Sequence, residues 1–342
     1  MIRYQGLTDY DSIFAVSPRS WGYYGKDTSA VDGGDFTGVT VTDDFETVIN
    51  SCDAVLLDID DRLPAASYAS KIELCKRLGK HMISHKYACR SASCSGDEGN
   101  EQSGFENAKS VDDINKRLYT INTPVICIYG LGERCNKFDI QLSLRKLFMN
   151  EGYRVSQLGS KWYSNVCGFS SLPEFLFDDH SYENKIFWLN SYVKRIVTDE
   201  DPDIMIIGVP GGIMPMTNHT VNHFGELSGV ISMAVRPDIN VLSIYASEYS
   251  DAALLNITDI LKYKSGCPVE YINMANTTPI LDVDSTPDVS YLTIDNNTCQ
   301  KILEASPISD KSYFFNVLCE DSCRNVYKNI IENLINNFGV LC

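Results

Sequence analysis

The sequence predicts an α/β protein with a small N-terminal α/β unit and a larger domain built on a mostly parallel sheet. Short apolar runs, which suit strands covered on both faces, alternate along the chain with segments of helical spacing. This alternation is typical of parallel sheets whose strands are joined by helical crossovers. A glycine-bearing loop also follows one apolar run and leads directly into a helix. These observations together predict the fold class.

Length and charge limit the alternatives. At 342 residues the chain is long enough for about two domains. Its 44% hydrophobic and 22% charged residues exclude a wholly disordered or fibrous chain. With 29 basic and 45 acidic residues the net charge is −16, so the surface repels nucleic acid and anionic lipid. Because we find no apolar run of membrane-helix length and no secretory signal, we expect no membrane insertion and a cytoplasmic location.

The first part of the chain, residues 1–88, is predicted to form a Rossmann-like domain. Apolar runs predict its strands, and helical spacing predicts its helices, the second of which stops at Gly79. The strands are expected at residues 12–17, 39–41, 54–59 and 81–84, and the helices at 45–52 and 66–78. Strand, helix and strand in this order predict parallel pairing with crossovers.

Residues 89–121 differ in composition from the rest of the chain. The stretch 91–104 is rich in serine, glycine and acidic residues and has no hydrophobic period. Such a composition cannot bury enough apolar surface to fold alone. We therefore predict a flexible acidic linker between the two domains.

The remainder, residues 122–342, is predicted to be a larger α/β domain with a C-terminal α/β extension. Its strands are expected at 124–129, 153–158, 202–207, 241–245, 269–273 and 291–294, and its helices at 140–150, 297–305 and 321–337, with a further helical stretch that ends at 191–197. The loop 209–215 follows the third of these strands. Doubly wound sheets place their ligands at the carboxyl ends of strands, so we expect the functional site there.

The loop after the first strand of this domain carries the candidate chemistry. A P-loop reads Gly-x-x-x-x-Gly-Lys-Ser/Thr: its backbone closes on phosphates, the lysine neutralises them and the hydroxyl holds magnesium. We assign Gly130 to the leading glycine and Lys137 to the lysine. Asn136 replaces the second glycine, and asparagine tolerates the left-handed backbone that this position needs. Phe138 replaces the residue with the hydroxyl, which removes a metal ligand. The motif is therefore a degenerate Walker A, and a surface lysine at a helix start is the plainer interpretation of Lys137.

The layout and two loops resemble known proteins. A Rossmann-like unit followed by a P-loop-like domain resembles the dethiobiotin-synthetase-like P-loop proteins, in the branch that includes a D-glutamate N-acetyltransferase. More narrowly, Gly-Leu-Gly-Glu-Arg-Cys-Asn-Lys-Phe-Asp at 130–139 and Val-Pro-Gly-Gly-Ile-Met-Pro at 209–215 look like loops of the clostridial-type peptide maturation system proteins. That resemblance implies work in clusters that make ribosomally synthesised and post-translationally modified peptides, beside a radical-SAM maturase and an exporter.

The resemblance also implies which residues form the site. Lys137 is the expected catalytic residue. The expected ligand- and phosphate-binding residues are Gly130, Gly132, Asn136, Lys137, Asp139, Gly211 and Gly212. The parent family keeps an acidic residue after the strand at 202–207, and this chain has none there, so a second magnesium contact is missing. Asp178 and Asp179 are candidates to replace both missing contacts, the hydroxyl and the strand-end acid, although such a pair also suits a helix cap. We therefore expect ligand binding with weak or no nucleotide hydrolysis.

Two further groups are candidates for chemistry. If the segment after the second loop is helical, His219 and His223 lie four residues apart on one face with Glu226 one turn further, a spacing that can hold a divalent metal. Solvated or capping histidines are the plainer interpretation. Cys135 is a candidate nucleophile because a helix N-terminus and a neighbouring arginine lower a thiol pKa, and a small loop-filling residue is the alternative.

Three functions are consistent with these sites. The first is an accessory or modifying protein of peptide maturation, which binds a precursor peptide, a peptide-modifying enzyme or a phosphate-containing ligand between the domains. The second is a P-loop-derived transferase that moves an acyl or phosphoryl group with Lys137. The third is a metal-dependent peptide-modifying enzyme. The candidate cofactors are a nucleotide with magnesium, coenzyme A or a divalent metal. The sequence leaves open whether the chain is an enzyme and whether it forms a homo-oligomer.

Overall fold

The computed structural model describes residues 1–58, 65–84, 117–266, 268–280 and 289–338. The chain divides into two compact units. Counting their described residues, the larger unit comprises Met1–Asp11, Ser29–Thr37 and Lys116–Cys342, and the smaller unit comprises Ser12–Thr28 and Gly38–Asn115.

Strands and helices alternate along most of the described chain. The strands are β1 (Ala15–Val16), β2 (Val41–Thr42), β3 (Ala54–Leu57), β4 (His81–Ser84), β5 (Val125–Gly130), β6 (Val155–Gly159), β7 (Ser170–Ser171), β8 (Ile204–Gly208), β9 (Ile239–Ile244), β10 (Tyr271–Met274), β11 (Thr277–Ile280), β12 (Ser290–Thr293) and β13 (Phe314–Phe315). The α-helices are α1 (Ser29–Asp32), α2 (Phe45–Asn50), α3 (Ala65–Arg77), α4 (Lys137–Asn150), α5 (Tyr182–Asp199), α6 (Glu226–Val235), α7 (Asp251–Ser265), α8 (Asn296–Ala305) and α9 (Glu320–Phe338).

A seven-stranded parallel sheet forms the centre of the larger unit. Its order is β13-β10-β9-β5-β8-β6-β7, so β5 lies between β8 and β9. The chain runs from β5 through α4 to β6 on one side, and from β8 through α6 to β9 on the other. The carboxyl end of β5 is therefore where the connections diverge, the place at which open α/β sheets bind ligands.

Helices cover both faces of this sheet. Side chains such as Ile140 in α4 and Ile330 in α9 pack on one face, and Leu189 in α5 and Ile231 in α6 pack on the other. All six residues of β5 are buried, which explains why its sequence is apolar without alternation. Burying one such side chain contributes about 1.5–3 kcal/mol to the free energy of folding. The apolar clusters on the two faces of the sheet therefore hold β5, and the start of the loop that follows it, in place.

Two short segments from the start of the chain belong to the larger unit. The Arg3 guanidinium forms a two-point ion pair with the Asp32 carboxylate, at 2.6 and 2.8 Å. Gly33 has a left-handed φ of 79°, and its carbonyl accepts a hydrogen bond from Asn276 Nδ2 at 3.2 Å. A Cβ on Gly33 would overlap the carbonyl of Ile294, so this close approach requires glycine.

The smaller unit contains two two-stranded parallel sheets, β1-β2 and β3-β4. Helix α3 lies between β3 and β4 in the chain, in the predicted strand-helix-strand order. Side chains from α2, β3 and α3 form its core. They are Ile49, Val55, Leu57, Tyr68, Ile72 and Cys75.

The predicted α/β fold class with a mostly parallel sheet is confirmed. Element ends differ: α4 begins at Lys137, because Asn136 provides a left-handed cap before it. The strand expected at 12–17 is reduced to β1, and Phe14 beside it is 47% exposed, so this apolar run is not a buried one. The predicted domain boundary at residue 88 and the linker up to residue 116 lie outside the described residues. No helix in the described ranges is long and apolar enough to cross a membrane.

Candidate phosphate-binding site

The loop between β5 and α4 lies at the carboxyl end of the central strand. Leu131 N donates to the Ser243 carbonyl of β9 at 3.0 Å, and Ile213 N donates to the Gly130 carbonyl at 3.0 Å. The start of the loop is thus fixed to β9 on one side and to the segment after β8 on the other. The loop ends at Asn136, which caps α4.

The assignment of Gly130 to the leading glycine of the P-loop pattern is wrong by one residue. Counted back from Lys137, the pattern places that glycine at Leu131. Gly130 is instead the last residue of β5. A Cβ on Gly130 would lie 2.8 Å from Lys137 Cδ and would overlap the Cys135 sulfur. This glycine therefore makes room for the lysine side chain.

Asn136 supplies the backbone conformation for which the pattern uses its second glycine. Its φ of 54° and ψ of 21° are left-handed, a region that asparagine tolerates better than most residues. Its Nδ2 donates to the Asp139 carboxylate at 2.9 Å, and its Oδ1 accepts from Asn276 N at 3.0 Å. Asn136 is therefore held from both sides, and the loop keeps its shape without the glycine.

Lys137 is only 6% exposed although it carries a charge. Its ammonium donates to the carbonyl of Gly132 at 2.9 Å and to the carbonyl of Gly211. Both acceptors are neutral, and the ion pairs found among the described residues do not include Lys137. The interpretation of Lys137 as a surface lysine is therefore wrong, because its side chain is buried inside the loop.

The backbone N–H groups of residues 132–136 point to a shared role. Within the described part of the chain, no hydrogen bond engages these five N–H groups. Arg134, with a φ of 57°, and Asn136 are both left-handed and are separated by one residue. Turns that contain left-handed residues gather successive N–H groups into a concave anion-binding nest. The N-terminus of α4 adds positive potential at the same place.

The segment after β8 closes the site. Gly211 has a left-handed φ of 73°, and its N–H donates to Glu133 Oε1 at 3.0 Å while its carbonyl accepts from Lys137. Gly212 passes so close to the Leu131 carbonyl that a Cβ would not fit. The structure therefore brings six of the predicted residues together around the loop. They are Gly130, Gly132, Asn136, Lys137, Gly211 and Gly212.

The two positions that hold magnesium in a working P-loop carry residues of a different kind in this chain. Phe138 stands in place of the hydroxyl and packs edge-on against Tyr163, with ring centroids 5.6 Å apart. At the end of β8, Gly208 offers no acid, and Gln141 fills the space that a side chain there would need. Gln141 is fully buried and donates to Ser160 Oγ at 2.9 Å. Neither position offers the hydroxyl or carboxylate that would bind magnesium.

Asp139, a predicted ligand-binding residue, supports the loop instead. Its carboxylate accepts the Asn136 hydrogen bond, and burial raises the pKa of Asp139 above its ordinary value.

The predicted histidine cluster lacks its helix. Residues 222–224 have consecutive left-handed φ values between 47° and 53°, so His219 and His223 do not share a helix face. Glu226 begins α6, and its carboxylate pairs with the Lys185 ammonium at 2.9 Å. The helical spacing on which the metal prediction depends is therefore wrong. The described residues contain no group of three or more His, Cys, Asp or Glu side chains that could hold a metal ion.

Asp178 and Asp179 are exposed in the segment before α5. Neither caps that helix, because the cap is Ser181, whose hydroxyl accepts from Asn184 N at 3.2 Å. The alternative interpretation of the aspartate pair as a helix cap is therefore wrong.

Cys135 is a structural residue of the loop. Burial raises the pKa of its thiol, and its sulfur donates to the Gly132 carbonyl at 3.1 Å. The expected low thiol pKa is wrong, because desolvation outweighs the effect of the nearby charges. Cys135 fills the loop, as the alternative interpretation has it.

Three residues of the site were not predicted from the sequence. Glu133 binds the Gly211 N–H, Gln141 fills the strand-end position, and Tyr245 donates from its hydroxyl to the Glu133 carbonyl at 2.7 Å. Glu133 did carry a signal, because a carboxylate inside a phosphate loop opposes the charge of the ligand. Gln141 and Tyr245 carried none, since their role depends on what the fold places beside them.

Comparisons with known proteins bear on the fold. No protein-family model and no curated protein sequence matches the chain significantly. Among solved structures, a DUF1611 family protein from Anabaena variabilis is 12% identical with a TM-score of 0.51, covering 98% of this chain and 94% of that chain. A nucleotide-binding protein from Archaeoglobus fulgidus in complex with ADP is 10% identical, with a TM-score of 0.33, 59% of this chain and 85% of that chain covered. A GTPase from Pyrococcus abyssi in its apo form is 11% identical, with a TM-score of 0.32, 64% and 98% covered.

The DUF1611 match shows a shared fold along nearly all of both chains and, at 12% identity, the fold alone. Together with the parallel sheet, the central strand, the loop and Lys137, it defines the chain as an α/β protein with a P-loop-like domain.

Proposed function

We propose that this protein binds a phosphate-containing ligand in the loop between β5 and α4, and that it does so without the magnesium that P-loop enzymes use for hydrolysis. The observation that carries the proposal is that the buried Lys137 ammonium lies in the same loop as the N–H groups of residues 132–136, which form no hydrogen bond within the described part of the chain. Such a loop holds phosphate mainly through its backbone.

The charge balance of the loop supports the proposal. Burying an ammonium group costs free energy unless an opposite charge compensates it. The direct partners of Lys137 are carbonyl oxygens, which satisfy its hydrogen bonds. The Glu133 carboxylate, which forms no ion pair with Lys137 among the described residues, compensates the lysine charge only in part. The chain as a whole has a net charge of −16, yet this loop holds a buried cation and several N–H donors without partners among the described residues. A phosphate would accept hydrogen bonds from these donors and balance the remaining positive charge.

The residues at the two magnesium-binding positions favour ligand binding over nucleotide hydrolysis. Phe138 and Gly208 stand where a hydroxyl and an acid would hold magnesium, and Gln141 fills the space that a side chain on Gly208 would need. Without the metal, the developing charge on a transferring phosphoryl group has no cation beyond the protein side chains. We therefore expect weak or no nucleotide hydrolysis.

The test is calorimetry with ADP, ATP, coenzyme A and acetyl-CoA on the wild type, Lys137→Ala and Lys146→Ala. Lys146 is the matched control, because it lies on the same helix but is exposed. We expect at least one ligand to bind the wild type and Lys146→Ala alike, and Lys137→Ala to lose at least about tenfold in affinity. No binding by the wild type, or equal binding by Lys137→Ala, would contradict the proposal.

We further propose that this binding serves the maturation of a ribosomally synthesised peptide. The support is the resemblance of the loops 130–139 and 209–215 to those of clostridial-type peptide maturation system proteins. The test begins with a search of the DNA beside this protein's gene for a short leader-bearing peptide, whose absence would contradict the role. The protein is then titrated with that peptide and with a scrambled peptide of equal charge. Binding of the leader alone supports the role, and equal or absent binding of both peptides contradicts it.

The alternative is a transferase that acts on a small molecule or a peptide, for which the retained Lys137 is the support. It predicts that acetyl-CoA or ATP is consumed when an acceptor is supplied, and that Lys137→Ala abolishes the consumption.

A further inference from the structure

Glu133 places a carboxylate inside the phosphate site. Its Oε1 accepts from Gly211 N at 3.0 Å, and its own carbonyl accepts from the Tyr245 hydroxyl at 2.7 Å. The backbone and the side chain of Glu133 are thus both held. The residue as a whole is nevertheless exposed.

The carboxylate and the lysine of the site converge on one residue. Lys137 donates to the Gly211 carbonyl, while Glu133 accepts from the Gly211 N–H. The charge of Lys137 is the largest influence on the pKa of Glu133 and lowers it. Partial desolvation of the carboxylate opposes this effect, and the charge of Lys161 adds to it. The protein therefore supplies its own anion at the lysine end of the loop.

In P-loops the backbone N–H groups hold the inner phosphates of a chain, and the lysine reaches the outer ones. The N–H groups of residues 132–136, which have no hydrogen-bond partner among the described residues, are available for the inner phosphates. We expect an outermost phosphate beside Lys137 and the Gly211 N–H, and the Glu133 carboxylate already accepts from that N–H.

We propose that Glu133 is the specificity-determining residue of this site: its carboxylate takes the place of a third phosphate, so the protein selects diphosphate-bearing ligands over triphosphates. This inference depends on the proposed phosphate binding. A third phosphate would have to break the bond between Glu133 and Gly211 and would meet a like charge. Magnesium would normally shield such a charge, and the positions of its ligands are occupied by Phe138 and Gly208.

The experiment titrates pyrophosphate and tripolyphosphate, without magnesium, into the wild type, Glu133→Gln and Glu151→Gln. Glutamine keeps an oxygen that can accept from the Gly211 N–H and removes the charge. Glu151→Gln is the matched control, because it removes an equal charge at the exposed far end of α4. The ratio of the two affinities in the wild type needs no variant, so the inference stays testable if Glu133→Gln does not fold.

We expect the wild type and Glu151→Gln to bind pyrophosphate at least about tenfold more tightly than tripolyphosphate. In Glu133→Gln the affinity for tripolyphosphate should rise by at least about tenfold, which removes the preference.

The outcomes separate this inference from the proposed function. A wild type without preference, or a Glu133→Gln variant that changes both affinities by the same factor, overturns the inference and leaves phosphate binding in place. A wild type that binds ADP or coenzyme A but neither inorganic probe also overturns the inference alone. Absence of binding for every phosphate compound overturns both.

Discussion

The two ends of the central sheet treat their backbone N–H groups in opposite ways. At the amino end the protein supplies its own carboxylates: Asp238 accepts from Val125 N at 2.8 Å, and Glu270 accepts from Asn240 N at 2.7 Å. At the carboxyl end, the N–H groups of residues 132–136 have no partner within the described part of the chain. The amino end is closed by the chain's own carboxylates. At the open, carboxyl end Glu133 engages the Gly211 N–H, and in the proposed function an anion from outside satisfies the N–H groups of residues 132–136.

This difference distinguishes structural carboxylates from the proposed binding site. Exposed or partly buried N–H groups that a protein leaves open, next to a buried ammonium, are groups that a ligand can satisfy. Burial raises the pKa of both Asp238 and Glu270, so the closed end is sensitive to pH. At the open end, the shape of the loop between β5 and α4 depends on close backbone contacts and on the left-handed backbone of Asn136.

The largest effect is expected from restoring an acid at the end of β8. In Gly208→Asp the new side chain would overlap the buried Gln141 amide, so the substitution combines overpacking with a buried charge. We expect a loss of at least about 3 kcal/mol in the free energy of unfolding, measured by urea denaturation.

The control for this prediction is Gly6→Asp, since Gly6 is exposed and a Cβ added there would meet nothing within 4 Å. The double variant Gly208→Asp with Gln141→Ala should regain part of the loss. A tolerated Gly208→Asp would mean that the strand-end position is open to an acid, contrary to this account.

A rise in pH should destabilise the closed, amino end of the sheet. Burial raises the pKa of Glu270 from its ordinary 4.5 to about 7. Because the folded chain holds this proton more tightly than the unfolded chain, the stability present below pH 4.5 is lost as the pH rises through about 7. The loss should be on the order of 2–3 kcal/mol.

Glu270→Gln keeps an acceptor for Asn240 N and cannot ionise. Unfolding curves from pH 5 to pH 8 should show the variant gaining on the wild type as the pH rises, with the variant more stable at pH 8. Two stability profiles that stay parallel over this range would mean that Glu270 does not control the closed end.

A smaller effect is expected at the open end from Asn136. Asn136→Ala loses the bonds to Asp139 and Asn276 and places a Cβ-bearing residue at a φ of 54°, which should cost about 2 kcal/mol. Asn136→Gly loses the same bonds but relieves the backbone, so we expect a cost of about 1 kcal/mol. If alanine proves no worse than glycine in denaturant unfolding, the left-handed backbone is not what asparagine provides.

The predictable part of this molecule is local in sequence. The apolar runs and glycine-terminated helices predicted the alternation, and the strand-loop-lysine pattern located the site, because each depends on neighbouring residues. The clamp between Asn136 and Asn276 joins positions 140 residues apart, and no local pattern contains it. The histidine cluster failed for a different reason: helical spacing says nothing about a run of left-handed residues such as 222–224.

The central claim is that this chain keeps the phosphate-binding backbone and lysine of a P-loop and lacks the hydroxyl and the acid that bind magnesium. The most direct test is a calorimetric titration of the wild type with its tightest-binding phosphate ligand, once with magnesium and once with EDTA. The account predicts dissociation constants that agree within about threefold. An affinity that magnesium raises by about tenfold or more would contradict it, because a metal would then be bound beside Phe138 and Gly208 after all.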